Sequence, residues 1–338
     1  MRYMKNYVDA CRFPLLKMGD VLVPRLVLGH LPFVGESYQG SSRNLEYTTR
    51  FSDMKNTVGI LRLAVERYGA TVAAAGIGDE NKLGELLFKA IRETERTTRR
   101  EIAIIPCVQI PLKILGKPVD VYRRWLTYYE IEKRETDREL LSKYLEDSVL
   151  QCRSGWRPKF EEALRISKPY GRREIEDLQI DRERLDASVS FLRGFNVLFF
   201  ELGSETDFLA MTGRTDLLAS LIGHIRERFG YRVILGVHHA GSTIPVLEES
   251  KIEFDGYVTP INRLGVMMFP TPNTALQAIR SSQKPIIAIK PLAGGRIPPR
   301  HALEYVYKEL GIDSCMIGVG SESEAEEDFS TALEILKQ

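Results

Sequence analysis

The residues of this chain best suited to proton transfer or carbonyl chemistry stand at the ends of short apolar runs. Three of its five histidines do so: His30 closes RLVLGH, and His238 and His239 close YRVILGVHH. Glu201 lies in LFFELG, where a carboxylate needs a partner, a raised pKa or a metal ion to be tolerated. A salt bridge to a loop Arg or Lys would also satisfy it without any catalytic role. Lys290, in AIKPLAGG, offers an amine that could polarise a carbonyl, form a Schiff base or clamp a phosphate. Asp79, Glu80, Gln109 and Asn262 complete the set of polar residues at apparent strand ends. Asp79 and Glu80 also adjoin an apparent helix start, where acids favour the helix dipole. His224 and His301 fall in helical segments and read as surface or capping residues. For His30 a hydrogen-bonded structural role is the plain alternative.

Such residues share a site only if the runs that carry them are parallel neighbours. The runs are short and rich in β-branched residues, and they alternate with segments of helical period, which is the pattern of βα units. There are eight: Arg25 to His30, Thr71 to Gly78, Glu101 to Ile110, Asn196 to Gly203, Tyr231 to His239, Phe254 to Asn262, Pro285 to Gly295 and Ser314 to Ser321. Eight predicts a closed (β/α)8 TIM barrel, an α/β fold whose active sites lie at the C-terminal ends of the strands. His30, Glu201, Lys290 and one of His238 and His239 are then expected around one pocket. Adjacent strand residues point to opposite faces, so only one of that histidine pair can face the axis. A carboxylate and imidazoles so placed could exchange protons or bind a divalent ion, although no metal ligands are assigned.

The 338 residues are read as a single barrel domain, 1–338, because such barrels run from about 200 to over 400 residues. Two segments exceed what βα units need. The polar stretch Leu31 to Phe51 should sit over the barrel mouth as a functional or mobile loop. The segment Leu112 to Gly194 is predicted to be a helical insertion between the third and fourth barrel strands, since Tyr128, Tyr129, Leu140, Leu141, Tyr144 and Leu145 recur at helical spacing. It could cap the site or mediate a homo-oligomer. In the last helix, Ser321 and Glu324 form a capping box, and Ala325, Phe329, Ala332, Leu333 and Leu336 make one apolar stripe.

A net charge of +1, with 28% charged residues, gives no global attraction to phosphate backbones, so nucleic acid is not expected as a partner. No apolar run has membrane-spanning or signal-peptide length, which predicts a cytoplasmic protein with a small-molecule substrate and no membrane partner. Cys11, Cys107, Cys152 and Cys315 form no CxxC pair, so neither a zinc clip nor an iron–sulfur cluster is signalled. Cys107 and Cys315 lie in strand-like runs and read as buried inert thiols.

Several segments, taken in order, resemble the aldo-keto reductase superfamily. PLLKMGDVLVPRLVLGH is similar to that family's bottom hairpin and first strand. YGATVAAAGIGDENKLGELLFKAI resembles its second unit, with Glu80, Leu83 and Gly84 matching an acidic residue before an LG pair. ILGVHHAGSTIPVLEESKIEFDGYVTPIN resembles the fifth and sixth units. IIAIKPLAGG with ELGIDSCMIGVGSESEAEEDFSTAL resembles the seventh and eighth, in the branch with KPLAGG at strand seven. The resemblance implies an oxidoreductase acting on a small polar or carbonyl metabolite. It also implies a tyrosine acid with lysine, aspartate and histidine partners, and none of the four is matched. Their places fall within Ala73 to Ala75, at Ile77 to Asp79, near Cys107 to Gln109 and near Glu201 to Gly203. The family's nicotinamide contacts fall on His238 and His239, on Val258 or Thr259, and on Ile289. A turn of Gly318, Val319, Gly320 and Ser321, with Asn262, remains as the candidate cofactor-binding set. Glu322 and Glu324 stand where the resemblance implies cations for a 2′-phosphate, so NAD is favoured over NADP if a nicotinamide cofactor binds. With the tetrad replaced, two other readings stand beside the oxidoreductase one. One is a non-redox lyase, isomerase or hydrolase using Glu201, a histidine and Lys290, and the other is a non-catalytic ligand-binding barrel.

Overall fold

The computed structural model describes residues 6–77, 82–134 and 139–337. Strands β1 (Leu15–Met18) and β2 (Val21–Pro24) form an antiparallel hairpin. All eight predicted runs supply barrel strands: β3 (Leu26–Gly29), β4 (Val72–Ile77), β5 (Ala103–Val108), β9 (Phe200–Leu202), β10 (Val233–Gly236), β11 (Gly256–Pro260), β12 (Ile286–Ile289) and β13 (Ser314–Gly318). The remaining strands, β6 (Leu112–Ile114), β7 (Lys117–Pro118) and β8 (Gln179–Ile180), lie outside the barrel. The barrel is parallel and closed, with β13 returning to β3 so that Gly318 stands opposite Gly29. These strands are covered on both faces, by helices outside and by each other inside, so they read as continuous apolar runs rather than alternating ones. In β10 every residue is buried.

The barrel interior is filled by Val27, Val72, Ala74, Ile105, Phe199, Ile234, Val258, Ile287 and Met316, together with Met18, Val21 and Val23 of the hairpin. The hairpin therefore closes the bottom. Two residues further along the same strands, alternation brings Gly29, Gly76, Cys107, Glu201, Gly236, Ile289 and Gly318 toward the axis at the mouth. Four of those seven are glycines. The top of the barrel is thus left open for side chains from the loops.

The stretch Leu31 to Phe51 fills that space and has structure of its own, contrary to the expectation of an irregular loop. A 3-10 turn (Leu31–Val34) carries buried Pro32 and Phe33 over the mouth, and a helix (Ser41–Phe51) follows, held by buried Tyr47 and Phe51. Neither was visible as a period, because Leu45 of that helix points to solvent and only two of its residues are buried.

The insertion differs from the all-helical expectation in one respect. It carries a small antiparallel sheet in the order β7-β6-β8, with β6 and β7 at its start and β8 near its end. Leu115 and Gly116 both have positive φ (50° and 74°), the backbone that a two-residue hairpin turn requires. Helices Val121–Glu132, Leu140–Glu146 and Trp156–Ile166 follow, the first capped by the Asp120 side chain, which accepts from the Arg123 amide at 2.8 Å. They pack through Trp125, Tyr128, Tyr144, Trp156 and Phe160 in the same apolar core that lies between the barrel and its outer helices. The last helix (Glu322–Lys337) buries Ala325, Phe329 and Ala332 as its stripe predicts, with Leu333 and Leu336 partly buried. No helix among the described residues is long and apolar enough to cross a membrane.

Candidate active site at the barrel mouth

Glu201 points from the middle of β9 into the upper barrel. It is 6% exposed, and its Oε1 lies against Gly236 of the next strand, so that a methyl group built there would stand 3.0 Å away. On the other side its register partner is Cys107 of β5. Burial lifts the Glu201 carboxyl to about 7, while the Cys107 thiol and the charge of Lys290 pull in the opposite direction. Cys107 itself is driven well above its ordinary value by burial and by Glu201, so it rests as a thiol. The sequence reading of Cys107 as an inert core residue needs correction in one point. Its side chain is only partly buried and lines a mouth cavity of about 260 Å³ with Gly76, Gln109 and Glu205. The alternation from Ile105 could have shown this.

Lys290 follows β12 in a left-handed backbone conformation, φ 57°, which costs a non-glycine residue about 1–2 kcal/mol. Its Nζ lies 3.2 Å from His238 Nε2 and 4.9 Å from the centre of the Tyr38 ring. Burial first, and then the charges of Lys290 and Arg153, hold His238 well below the usual imidazole range, so its ring is neutral. With Lys290 donating, Nε2 accepts and the ring hydrogen stands on Nδ1, a buried atom with no partner among the described residues. His30 caps the 3-10 turn, and its Nε2 occupies the space over Gly76, 2.6 Å from where a Cβ would be. Burial and the Lys290 charge hold it down to about 4. Glu201, His238, His30 and Lys290 therefore stand around one mouth.

His239 faces away from it, toward the insertion. Its Nδ1 meets Glu132 Oε1 at 2.8 Å, its ring stacks on Phe269 at 4.9 Å, and both partners of the pair are almost fully buried. Burial opposes its charge, but the charge and hydrogen bond of Glu132, with Asp207, outweigh that and raise its pKa. Asp207, missed in the sequence reading, fixes the divergence of the two histidines. Its carboxylate accepts from the backbone amides of His238 (2.9 Å) and His239 (3.3 Å). Asn262 is committed elsewhere: its amide donates to Val266 O and accepts from Val266 N, both at 2.9 Å, closing a loop. His224 binds Asp186 at 2.7 Å, and His301 is exposed on a helix. Asp79 and Glu80 lie outside the described residues.

The glycine turn after β13 does not fit the nicotinamide dinucleotide implied by the resemblance. Pro32 lies where a Cβ on Gly318 would be 2.7 Å away, and the Tyr47 ring covers Gly320 at 2.5 Å on the same measure. The Gly320 amide donates to Glu324 Oε2 at 2.7 Å, and Ser321 Oγ accepts from the Glu324 amide at 3.1 Å. The chain's own side chains thus take the amide and the faces that a pyrophosphate would need. Among the described residues no three His, Cys, Asp or Glu side chains gather as metal ligands.

No protein-family model and no curated protein matches the sequence. Solved structures do. A crystal structure of an aldo-keto reductase from Pseudomonas aeruginosa superposes with a TM-score of 0.54 at 15% identity, covering 99% of each chain. A second structure described as an aldo-keto reductase of that organism gives 0.53 at 15% identity, covering 99% of this chain and 100% of the other. At such identity the likeness speaks for the fold alone. With its closed eight-stranded barrel, bottom hairpin and chain-long superposition, this chain has the fold of the aldo-keto reductases.

Proposed function

We propose that this one-domain barrel is an enzyme that transfers protons on a small polar, carbonyl-bearing metabolite, without a nicotinamide cofactor. The observation that carries the reading is the grouping at the mouth of a buried carboxyl whose pKa is lifted to about 7 with Lys290 and a neutral His238. A carboxyl near 7 can both take and return a proton at neutral pH, the property a general acid–base needs. The nearby charge of Lys290 would stabilise the negative charge that develops on the carbonyl oxygen as Glu201 removes a neighbouring proton. His238, fixed by Lys290 and by Asp207 through its backbone, would donate from Nδ1 to a substrate oxygen. The resemblance puts the family's aspartate within Ala73 to Ala75, its lysine near Cys107 to Gln109 and its tyrosine at Ile77 to Asp79, stretches that carry no such residue in those roles, so this reading uses no lysine-activated phenol.

The test needs no prior substrate. The protein is incubated in D2O with a panel of small ketones, aldehydes, keto acids and hydroxy acids, and loss of C–H signal is followed by NMR. Exchange catalysed by the protein alone, and lost in Glu201→Gln, is expected. Oxidation of NADH or NADPH with the same panel, with no exchange in the absence of cofactor, would instead establish the oxidoreductase reading that the fold brings to mind.

A further inference from the structure

Two cationic side chains beside the mouth form no ion pair among the described residues. Lys290 has no carboxylate within ion-pair distance among the described residues; its contacts are His238 and the Tyr38 ring. Arg153, supplied by the insertion, has none either. It lies over the rings of Trp125 (5.6 Å) and Trp156 (5.9 Å) and is exposed to solvent. By contrast, Arg124 deeper in the same wall is paired with Glu205, and Lys143 with Asp147.

Lys290 and Arg153 are brought together around Tyr38. The Cys152 thiol donates to the Tyr38 carbonyl at 3.1 Å, which docks the turn carrying Arg153 onto the loop whose ring lies beside Lys290. Arg296 locks the arrangement, donating to Tyr38 O at 3.0 Å and to Ser148 O at 3.1 Å. Glu36 lies close enough for its field to reach Arg153, and Glu201 close enough to feel Lys290, yet among the described residues neither carboxylate is within salt-bridge distance of these cations. Both cations act on His238, whose Nδ1 has no partner among the described residues. Uncompensated like charges repel one another across a cleft and focus a field that draws anions in. Tyr38, at φ 58°, like Lys290, holds a backbone conformation that most residues avoid.

We propose that Arg153 and Lys290 form an oxyanion subsite at the barrel mouth, and that the substrate carries a carboxylate or phosphate group held there while its reactive carbon faces Glu201. This rests on the proton-transfer reading above for the reactive carbon, but the anion site stands or falls by itself. A guanidinium presents a fork that matches carboxylate and phosphate oxygens, while an ammonium acts as a point charge, so the pair suits an oxyanion rather than a neutral hydroxyl.

The experiment is a calorimetric titration at low ionic strength of the wild type, Arg153→Gln, Lys290→Gln and Glu201→Gln proteins with oxalate and, separately, with inorganic phosphate. The wild type is expected to bind at least one of them, and the preferred anion identifies the headgroup. Arg153→Gln and Lys290→Gln should each weaken that binding by roughly tenfold or more. Glu201→Gln should leave it equal or tighter, since it removes a negative neighbour. Melting curves of each variant against the wild type separate lost binding from lost folding. A wild type that binds neither anion, or variants at both cations that bind as the wild type does, would overturn the subsite. Retained exchange activity in Glu201→Gln, with anion binding still dependent on Arg153, would reject the proton-transfer reading and leave the subsite intact.

Discussion

At the scale of single residues, Glu201 ties function to stability through one protonation equilibrium. Its carboxyl is lifted from 4.5 to about 7 by burial, so the folded protein holds a proton that the unfolded chain releases. Its contribution to stability is complete below about pH 4.5 and is lost as pH rises through 7. Glu201→Gln carries no such charge and should gain thermal stability relative to wild type as pH goes from 4.5 to 8, read from melting curves at each pH. The same variant should lose about 100-fold or more in turnover. A catalytic group that is costly to keep shows both effects, whereas a carboxylate kept for structure would lose stability when replaced. The salt bridge to a loop Arg or Lys that the sequence left open for Glu201 does not form among the described residues.

Single elements carry their own titrations. The helix Glu322–Lys337 buries Asp328, 5% exposed, among apolar neighbours, and burial with the nearby charges of Glu324 and Glu327 lifts its carboxyl from 3.8 to about 7. Stability from this group is present below about pH 4 and falls as pH rises toward 7, by about 1.4 kcal/mol for each pH step of one in between. Asp328→Asn should therefore melt increasingly above the wild type between pH 4 and 8, with the barrel unchanged by circular dichroism. An equal or lower melting temperature at pH 8 would mean that the carboxylate is stabilised there after all. In this helix the apolar stripe was legible in the sequence because 3.6-residue spacing is local. The barrel strands were legible for a similar reason, since burial on both faces makes them apolar from end to end. Arg153 was not. Its place depends on a thiol, Cys152, meeting a carbonyl 114 positions away, and no spacing within the insertion records that contact. Tyr47 over Gly320 was hidden likewise, because the glycine turn reads as open until the helix that covers it is placed.

Across the whole molecule, the insertion is fastened to the barrel by a buried charge pair, His239 with Glu132, to which Tyr144 and Ser242 also donate. Removing one partner of such a pair leaves a buried charge alone and costs about 3–5 kcal/mol. The pKa of His239 is raised on folding, so the stability from this pair is fully present below about pH 6.5 and lost as pH rises through the folded value. In Glu132→Ala, limited proteolysis should cut within 112–194 well before it cuts barrel strands, and the gap between variant and wild type should narrow above neutral pH. Simultaneous cleavage throughout the chain would show instead that insertion and barrel unfold as one unit. Arg153 sits on that insertion, so a loosened insertion should also weaken oxalate or phosphate binding without any change at Lys290.

Barrel closure sets a condition on synthesis as well as on the finished fold. The sheet is sealed by β13 against β3, between residues about 290 positions apart, and contacts so distant in sequence form slowly. On the ribosome, β3 leaves the exit tunnel long before its partner exists, and its far edge stays without a neighbour until Ser314 to Gly318 emerge. Through that interval the hairpin of β1 and β2, which packs beneath the interior residues, is the adjoining structure that can shield the opening strands from other chains. A chain ending before Ser314 would have two open edges, on β3 and β12, and is expected to be recovered as aggregate rather than as a smaller soluble protein.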